Sequence, residues 1–188
     1  MNRFHRWYCR SDRWRRSVEN ELLPWVLRNL DLGDNVLEVG PGPGLTTDVL
    51  ARTTKHLTAV EIDAQLAAAL RERADPQRVT VIQADATALP FPDASFTGAV
   101  CFTMLHHVPS QQLQDKLIAE VRRVLRPGAV FAGSDSRPSL LFRAAHLFDT
   151  MTLVDPATLP DRLRRAGFTD PAVDATAHQL RFRARTPS

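Results

Sequence analysis

The sequence predicts an α/β fold in which a parallel sheet is covered by helices on both faces, and three observations point there. Short β-forming apolar runs alternate with segments of helical periodicity from residue 36 to residue 133. Such alternation implies parallel strands joined by crossovers that lay helices against the sheet. A glycine-rich turn, Gly40-Pro41-Gly42-Pro43-Gly44, stands between the first strand and the helix after it. Roughly twenty residues later the second strand ends in an acid, Glu61.

Taken in order, hydrophobic residues in Val18 to Leu30 recur at helical spacing, and Asp31-Leu32-Gly33-Asp34 stops that helix. Val36-Leu37-Glu38-Val39 is the first strand, and Leu45 to Thr53 is the helix that leaves the glycine turn. Leu57 to Glu61 is the second strand, followed by the alanine-rich helix former Ala64 to Arg73. Val79 to Ala84 is the third. After the loop Leu89-Pro90-Phe91-Pro92-Asp93, Phe96 to Phe102 is the fourth, and Gln111 to Leu125 is a helix ended by Arg126-Pro127-Gly128. Ala129 to Gly133 is the fifth strand, opening toward Asp135. Ser139 to Thr150 reads as a short helical insertion, Pro156 to Ala166 as a helix closed by Gly167, and residues 172 to 185 as two last strands. The expected organisation is an N-terminal helical cap, residues 1–32, and one domain, 33–188, with a small helical insertion near 138–155.

A chain of 188 residues can bury about 70 % of its unfolded surface in one core without metal or disulfide help. With 44 % hydrophobic and 24 % charged residues, it is neither a disordered nor a fibrous composition. No apolar run reaches the roughly 18 residues that span a bilayer, and the N-terminus lacks the apolar centre of a signal peptide. A cytoplasmic protein with no transmembrane segment is expected, and two cysteines, Cys9 and Cys101, suit a reducing compartment. The net charge of +3 is unevenly spread: Arg3, Arg6, Arg10, Arg13, Arg15 and Arg16 crowd the start, and Arg181, Arg183 and Arg185 the end. With Phe4, Trp7, Tyr8 and Trp14 among them, the first cluster could grip phosphate, nucleic acid or an anionic membrane surface, or could be an amphipathic helix with its aromatics on the core.

In a doubly wound sheet ligands bind at the C-terminal strand ends, where crossovers diverge to opposite faces. The turn Gly40, Gly42, Gly44 falls at such an end. Glycine lets backbone approach a ligand, and the helix start behind it offers N–H groups to an anionic group. Glu61, at the next strand end, is placed to accept hydrogen bonds from ribose hydroxyls. A dinucleotide fingerprint would need glycine where Leu45 stands.

The spacing G-x-G-x-G, with Glu38 inside the strand before it, resembles the first motif of class I S-adenosylmethionine-dependent methyltransferases. Glu61-Ile62-Asp63 is similar to that family's second motif, Gln83-Ala84-Asp85-Ala86 to its third, and Leu89 to Asp93 with Phe96 to the segment before strand four. Arg123-Val124-Leu125-Arg126-Pro127-Gly128 resembles its turn before strand five, so the likeness covers residues 33 to 135. It implies a Rossmann-like, seven-stranded, mostly parallel sheet whose last strand is antiparallel. It also implies S-adenosylmethionine with its methionine end at Gly40 to Gly44, its ammonium near Glu38, its ribose on Glu61 and its adenine near Ile62, Asp85 and Ala86. Phe102 closes the cofactor set, and Cys101 to His107 occupies the segment that lines the acceptor pocket in the family.

Methyl transfer from a sulfonium needs positioning and exclusion of water more than a dedicated catalytic group. Where the acceptor must lose a proton, His106 or His107 is the candidate general base. The Leu-His-His segment resembles the small-molecule branch similar to quinone-biosynthesis methyltransferases. Phe142, Leu147, Phe148, Met151 and Trp7 suggest an apolar lining and a small, partly hydrophobic acceptor. Three other readings stand beside this one. Val36 to Thr46 and Ala59 to Asp63 also resemble rRNA adenine N6-methyltransferases, which would make RNA the partner. Against that, Cys101 to Met104 offers no Asn-Leu-Pro-Tyr type segment to hold a flipped adenine. A non-catalytic S-adenosylmethionine-binding protein and a nicotinamide-dependent reductase complete the set. The remaining histidines, His5, His56, His146 and His178, show no metal-ligand spacing.

Overall fold

A computed structural model describes residues 12–137 and 151–188, with side chains from residue 15 onward. Seven strands form one sheet: β1 (Asn35–Val39), β2 (His56–Glu61), β3 (Val79–Gln83), β4 (Phe96–Phe102), β5 (Leu125–Ser136), β6 (Thr169–Ala175) and β7 (Gln179–Arg185). Their order is β3-β2-β1-β4-β5-β7-β6. β1 lies parallel to both β2 and β4, and β7 runs antiparallel to both β5 and β6. The order therefore reverses between β1 and β4, and the glycine turn sits at that switch point, as the sequence predicts.

Helices α3 (Leu45–Thr53), α4 (Ala64–Arg73) and α5 (Gln111–Val124) are the crossovers that follow β1, β2 and β4, and α6 (Leu159–Arg165) precedes β6. At the N-terminus α1 (Asp12–Ser17) and α2 (Leu23–Leu27) flank a π-helical turn, Val18–Leu22. Pro24 opens α2 and has no N–H to donate, which accounts for the irregular bonding just before it.

Alternation along each strand divides the core in two. Leu37, Val39, Ala99, Cys101 and Phe131 face one side, with Leu117, Val121, Leu159 and Leu163 of α5 and α6. Val36, Val100, Val130 and Ala132 face the other, with Leu50 of α3, Leu70 of α4, and Val18 and Leu22. The arginines of β7 follow the same rule. Leu180, Phe182 and Ala184 are buried, while Arg181 points the other way, onto the Trp25 ring at 4.9 Å, and pairs with Asp174 at 2.8 Å. One of the basic C-terminal residues thus serves packing.

Some boundaries differ from the expectation. Helix α5 stops at Val124, and Leu125 already pairs with Phe96 as the first residue of β5. The register then slips before Gly98 meets Val130, so Arg126-Pro127-Gly128 is a bulge within β5 and not a turn before it. Gly128, at φ 74°, supplies the left-handed residue there. Pro156 to Thr158 is a turn on which Asp155 accepts from Ala157 N–H at 2.9 Å, so α6 starts only at Leu159. Gly167 closes α6 as expected: its N–H reaches Arg164 O, and Phe168 N–H reaches Leu163 O. The helix expected over Ser139 to Thr150 lies outside the described residues, as do Trp7, Phe142, Leu147 and Phe148.

β4 and β5 approach closely at Gly133. A Cβ there would fall well inside contact distance of the Cys101 carbonyl oxygen and 2.7 Å from Phe182 Cζ. Backbone of a central strand cannot yield to it, so Gly133→Ala is expected to lower stability by about 3 kcal/mol. Equilibrium denaturant unfolding checks this.

Candidate cofactor site

Three glycines of one turn do three different things. Gly40, Gly42 and Gly44 all have positive φ (66°, 56° and 83°), and the prolines between them hold φ near −65°, so the turn is stiff. A side chain on Gly40 would meet Met104 Cε at 2.8 Å, so this glycine makes room for the segment after β4. The missing Cβ of Gly44 leaves space for Leu70 and Arg73, whose guanidinium donates to Pro43 O and to Asp48, both at 2.6 Å. A Cβ added to Gly42 would meet nothing within 4 Å. That is the point of the turn that is open to a ligand.

Glu61 ends β2 and is buried, with 5 % of its surface exposed. One carboxylate oxygen accepts from Gly42 N–H and the other from Asp63 N–H, both at 2.9 Å. Each oxygen keeps a second lone pair for another donor. Asp63 caps α4 by accepting from Gln65 and Leu66 N–H. At the end of β3, Asp85 accepts from Thr87 N–H at 2.8 Å, a turn that sets Ala86 beside it.

These strand ends enclose a cavity of about 570 Å³. The glycine turn, Glu61 to Asp63 and Ala84 to Thr87 form one half. Phe102 to Met104, His107 to Pro109, and Leu113 and Leu117 of α5 form the other. Gly40, Gly42, Glu61, Ile62, Asp85, Ala86, Phe102 and His107, all singled out in the sequence, meet on its walls. Ile62 and Leu113 are both exposed large apolar residues, at 66 % and 37 %, and both belong to this cavity.

Gly44, Glu38 and His106 lie behind the walls. Glu38, 1 % exposed, accepts from Thr46 Oγ1 and, at 2.6 Å, from Thr47 Oγ1 at the start of α3. Burial pushes its carboxyl up to about 7, against the pull of the two hydroxyls, with Asp48 and Glu61 adding to the rise. His106 is drawn into the core by Asp135 of β5. Its Nδ1 lies 2.5 Å from Asp135 Oδ1, and its backbone N–H donates to Oδ2 at 3.0 Å. Of the two histidines, His107 is the one on the cavity wall.

Sequence reasoning did not reach the polar network behind that wall. Gln114, fully buried, donates to Leu105 O at 2.9 Å and Thr152 O at 2.8 Å, and its own oxygen accepts from Arg162 Nη2 at 2.9 Å. Arg162, 3 % exposed, also pairs with Asp115 at 2.5 Å, while Thr152 N–H reaches His106 O at 2.8 Å. The available signal was Gln114 itself, a polar residue at the apolar spacing of Leu117, Ile118 and Val121.

Glycine turn, strand-end acid and switch point together define a nucleoside-type cofactor site in a Rossmann-like sheet. Residues 37–133 match the model of the methyltransferase domain family. The chain belongs to that family, whose cofactor is S-adenosylmethionine. It is 52 % identical over 59 residues to the ribosomal RNA small subunit methyltransferase A of Bordetella petrii, covering 31 % of this chain and 22 % of that protein. To the fatty-acid O-methyltransferase of Mycolicibacterium smegmatis it is 37 % identical over 108 residues, 56 % of this chain and 38 % of that one. The chain spans between 22 and 51 % of the length of such curated relatives. Among solved structures, a chain of the complex between the Haloferax volcanii Trm112 methyltransferase activator and a methyltransferase superposes with a TM-score of 0.75 at 17 % identity, covering 100 % of this chain and 99 % of that one. The phosphoethanolamine N-methyltransferase 2 of Haemonchus contortus, solved with S-adenosyl-L-methionine, has a TM-score of 0.75 at 16 % identity, over 93 % of this chain and 53 % of that one. Among the described residues no helix is long and apolar enough to cross a membrane, and no cluster of three or more ligating side chains could hold a metal.

Glu38 gives the fold a pH signature. Between the ordinary carboxyl value of 4.5 and about 7 the folded chain keeps a proton that the unfolded chain has lost. Stability therefore falls as pH rises through that window and is level above it, by a total on the order of 3 kcal/mol. Glu38→Gln is expected to abolish this slope in denaturant titrations at a series of pH values. A slope of undiminished size would assign it to another group.

Proposed function

We propose that this protein transfers the methyl group of S-adenosylmethionine to a small, partly hydrophobic acceptor by in-line displacement. The observation that carries the reading is the division of one cavity into an acidic half, with Gly42, Glu61 and Asp85, and a half walled by Met104, Val108, Pro109, Leu113 and Leu117. The first half fits the cofactor. Open space at Gly42 admits the methionine end, the spare lone pairs of Glu61 suit the ribose hydroxyls, and Ile62, Asp85 and Ala86 suit the adenine, with Phe102 closing the cofactor set from the facing wall. Glu38 acts from beneath the turn on the ammonium, through the helix start that it holds. The cofactor supplies an electrophilic methyl carbon on a sulfonium, and the protein holds the acceptor in line and excludes water. His107 is the side chain of the histidine pair that can take a proton from a bound acceptor. A cytoplasmic setting suits the free, buried Cys101.

The second reading, rRNA adenine N6-methylation, is favoured by the short stretch of 52 % identity to an rRNA methyltransferase. Two features stand against it: Thr103-Met104-Leu105 follows β4 where an adenine-holding segment would be needed, and Arg181 is engaged with Asp174 and Trp25. Incubation with labelled cofactor separates the two, because label in 16S-type rRNA and in no small-molecule extract would overturn the small-acceptor reading.

The cofactor half has its own test. Glu61→Ala removes the acceptor for sugar hydroxyls and for two loop N–H groups, and each such charge-assisted bond is worth about 1.5 to 3 kcal/mol. S-adenosylhomocysteine affinity in calorimetry should fall at least about tenfold, and NAD should not bind to either form.

A further inference from the structure

Four residues other than glycine adopt positive φ among the described residues: Asn29, Ala94, Thr103 and Asp170. Thr103, at 49°, is the β-branched one of the four and the one on the cavity wall. A branched Cβ is poorly tolerated in the left-handed region, and such residues persist where the surroundings impose them. Here the surroundings are explicit. Thr103 N–H is held by Ser134 O at 2.8 Å, Phe102 before it is locked in β4, and Met104 after it lies over Gly40. Most positions of this kind are occupied by glycine or asparagine, yet a threonine stands here. Its hydroxyl has no hydrogen-bond partner among the described residues.

The wall around Thr103 has a definite charge character. From Phe102 to Leu117 it presents Met104, Val108, Pro109, Leu113 and Leu117, with His107 as its titratable member. No Lys or Arg lines the cavity among the described residues, whereas Glu61, Asp63 and Asp85 do. A carboxylate or phosphate brought to this wall would lose its hydration and find no Lys or Arg among the described residues there.

We propose that Thr103 is an acceptor-binding residue whose hydroxyl takes a hydrogen bond with the nucleophilic oxygen of an uncharged alcohol or phenol on an apolar body. This rests on the methyl-transfer reading above and names its substrate class. In the step, the acceptor oxygen forms a bond to the methyl carbon while the carbon–sulfur bond breaks, its electron pair going to sulfur. The thioether product leaves uncharged at sulfur, and the acceptor's hydroxyl proton passes to His107 or to water.

The test uses probes with one tail and different heads, titrated by calorimetry into the full chain saturated with S-adenosylhomocysteine. The probes are para-pentylphenol, para-pentylbenzoate, para-pentylphenyl phosphate and pentylbenzene. The phenol should bind at least about tenfold more tightly than either anion, and about fivefold more tightly than pentylbenzene. Thr103→Val, equally branched but without the hydroxyl, should reduce phenol affinity about fivefold, to the level of pentylbenzene, with S-adenosylhomocysteine affinity unchanged. Thr103→Ser should restore it. Thr103→Gly guards against a valine variant that fails to fold: it should melt at a higher temperature than the parent and still lose the phenol preference. Anions binding as tightly as the phenol, no probe binding at all, or a glycine variant that keeps the preference would each overturn the proposal. Failure to saturate with S-adenosylhomocysteine in the first place would instead sink the methyl-transfer reading.

Discussion

The Glu61 carboxylate ties the end of β2 to the turn after β1, accepting from Gly42 N–H with one oxygen and from Asp63 N–H with the other. A buried carboxylate is costly unless its oxygens are satisfied, and backbone N–H groups that cannot move away satisfy it without further ordering. Its position forces the rest. Asp63, once held, caps α4, and Arg73 at the far end of α4 returns to Pro43 O and Asp48. Turn, strand end and helix are thereby closed into one unit, and the open space at Gly42 is a fixed feature of it.

Beneath that unit lies a second acid in a different condition. Glu38 shares the edge with Glu61 and Asp48, and with no cation against it among the described residues, burial pushes its carboxyl up to about 7. The hydroxyls of Thr46 and Thr47 meet it and fix the start of α3 relative to β1. A positive group bound above the turn would favour its charged form, so cofactor binding and ionisation of Glu38 are coupled in sign.

The other half of the cavity is held from behind by polar contacts as well as by packing. Asp135 fixes His106, and Gln114 joins Leu105 to Thr152 while Arg162 satisfies its oxygen. Each member is at least nine-tenths buried except Thr152, and a network of this kind rigidifies what it touches because each broken bond leaves an unsatisfied group. His107, Val108 and Pro109 are thus set on the wall by residues that never reach it.

Much of this was legible in the chain. Helices α3 and α4 and strand β4 have the bounds that periodicity predicts, and the glycine turn and Glu61 lie where a strand-turn-helix unit must put them, because those signals are local. The end of α5 differs from the sequence expectation because Arg126-Pro127-Gly128 breaks a helix and shapes a β-bulge equally well, and pairing of Leu125 with Phe96 decides between them. Among the site residues, local pattern named His106 and His107 together and could not separate them. Sequence alone determined the sheet, its ligand edge and the acids at that edge, because periodicity and turn chemistry act over a few residues. Tertiary structure decided which histidine reaches the cavity, which glycine faces open space and what Asp135, Gln114 and Arg162 do, because those outcomes depend on partners far away in the chain, as Asp135 is from His106 and Met104 from Gly40.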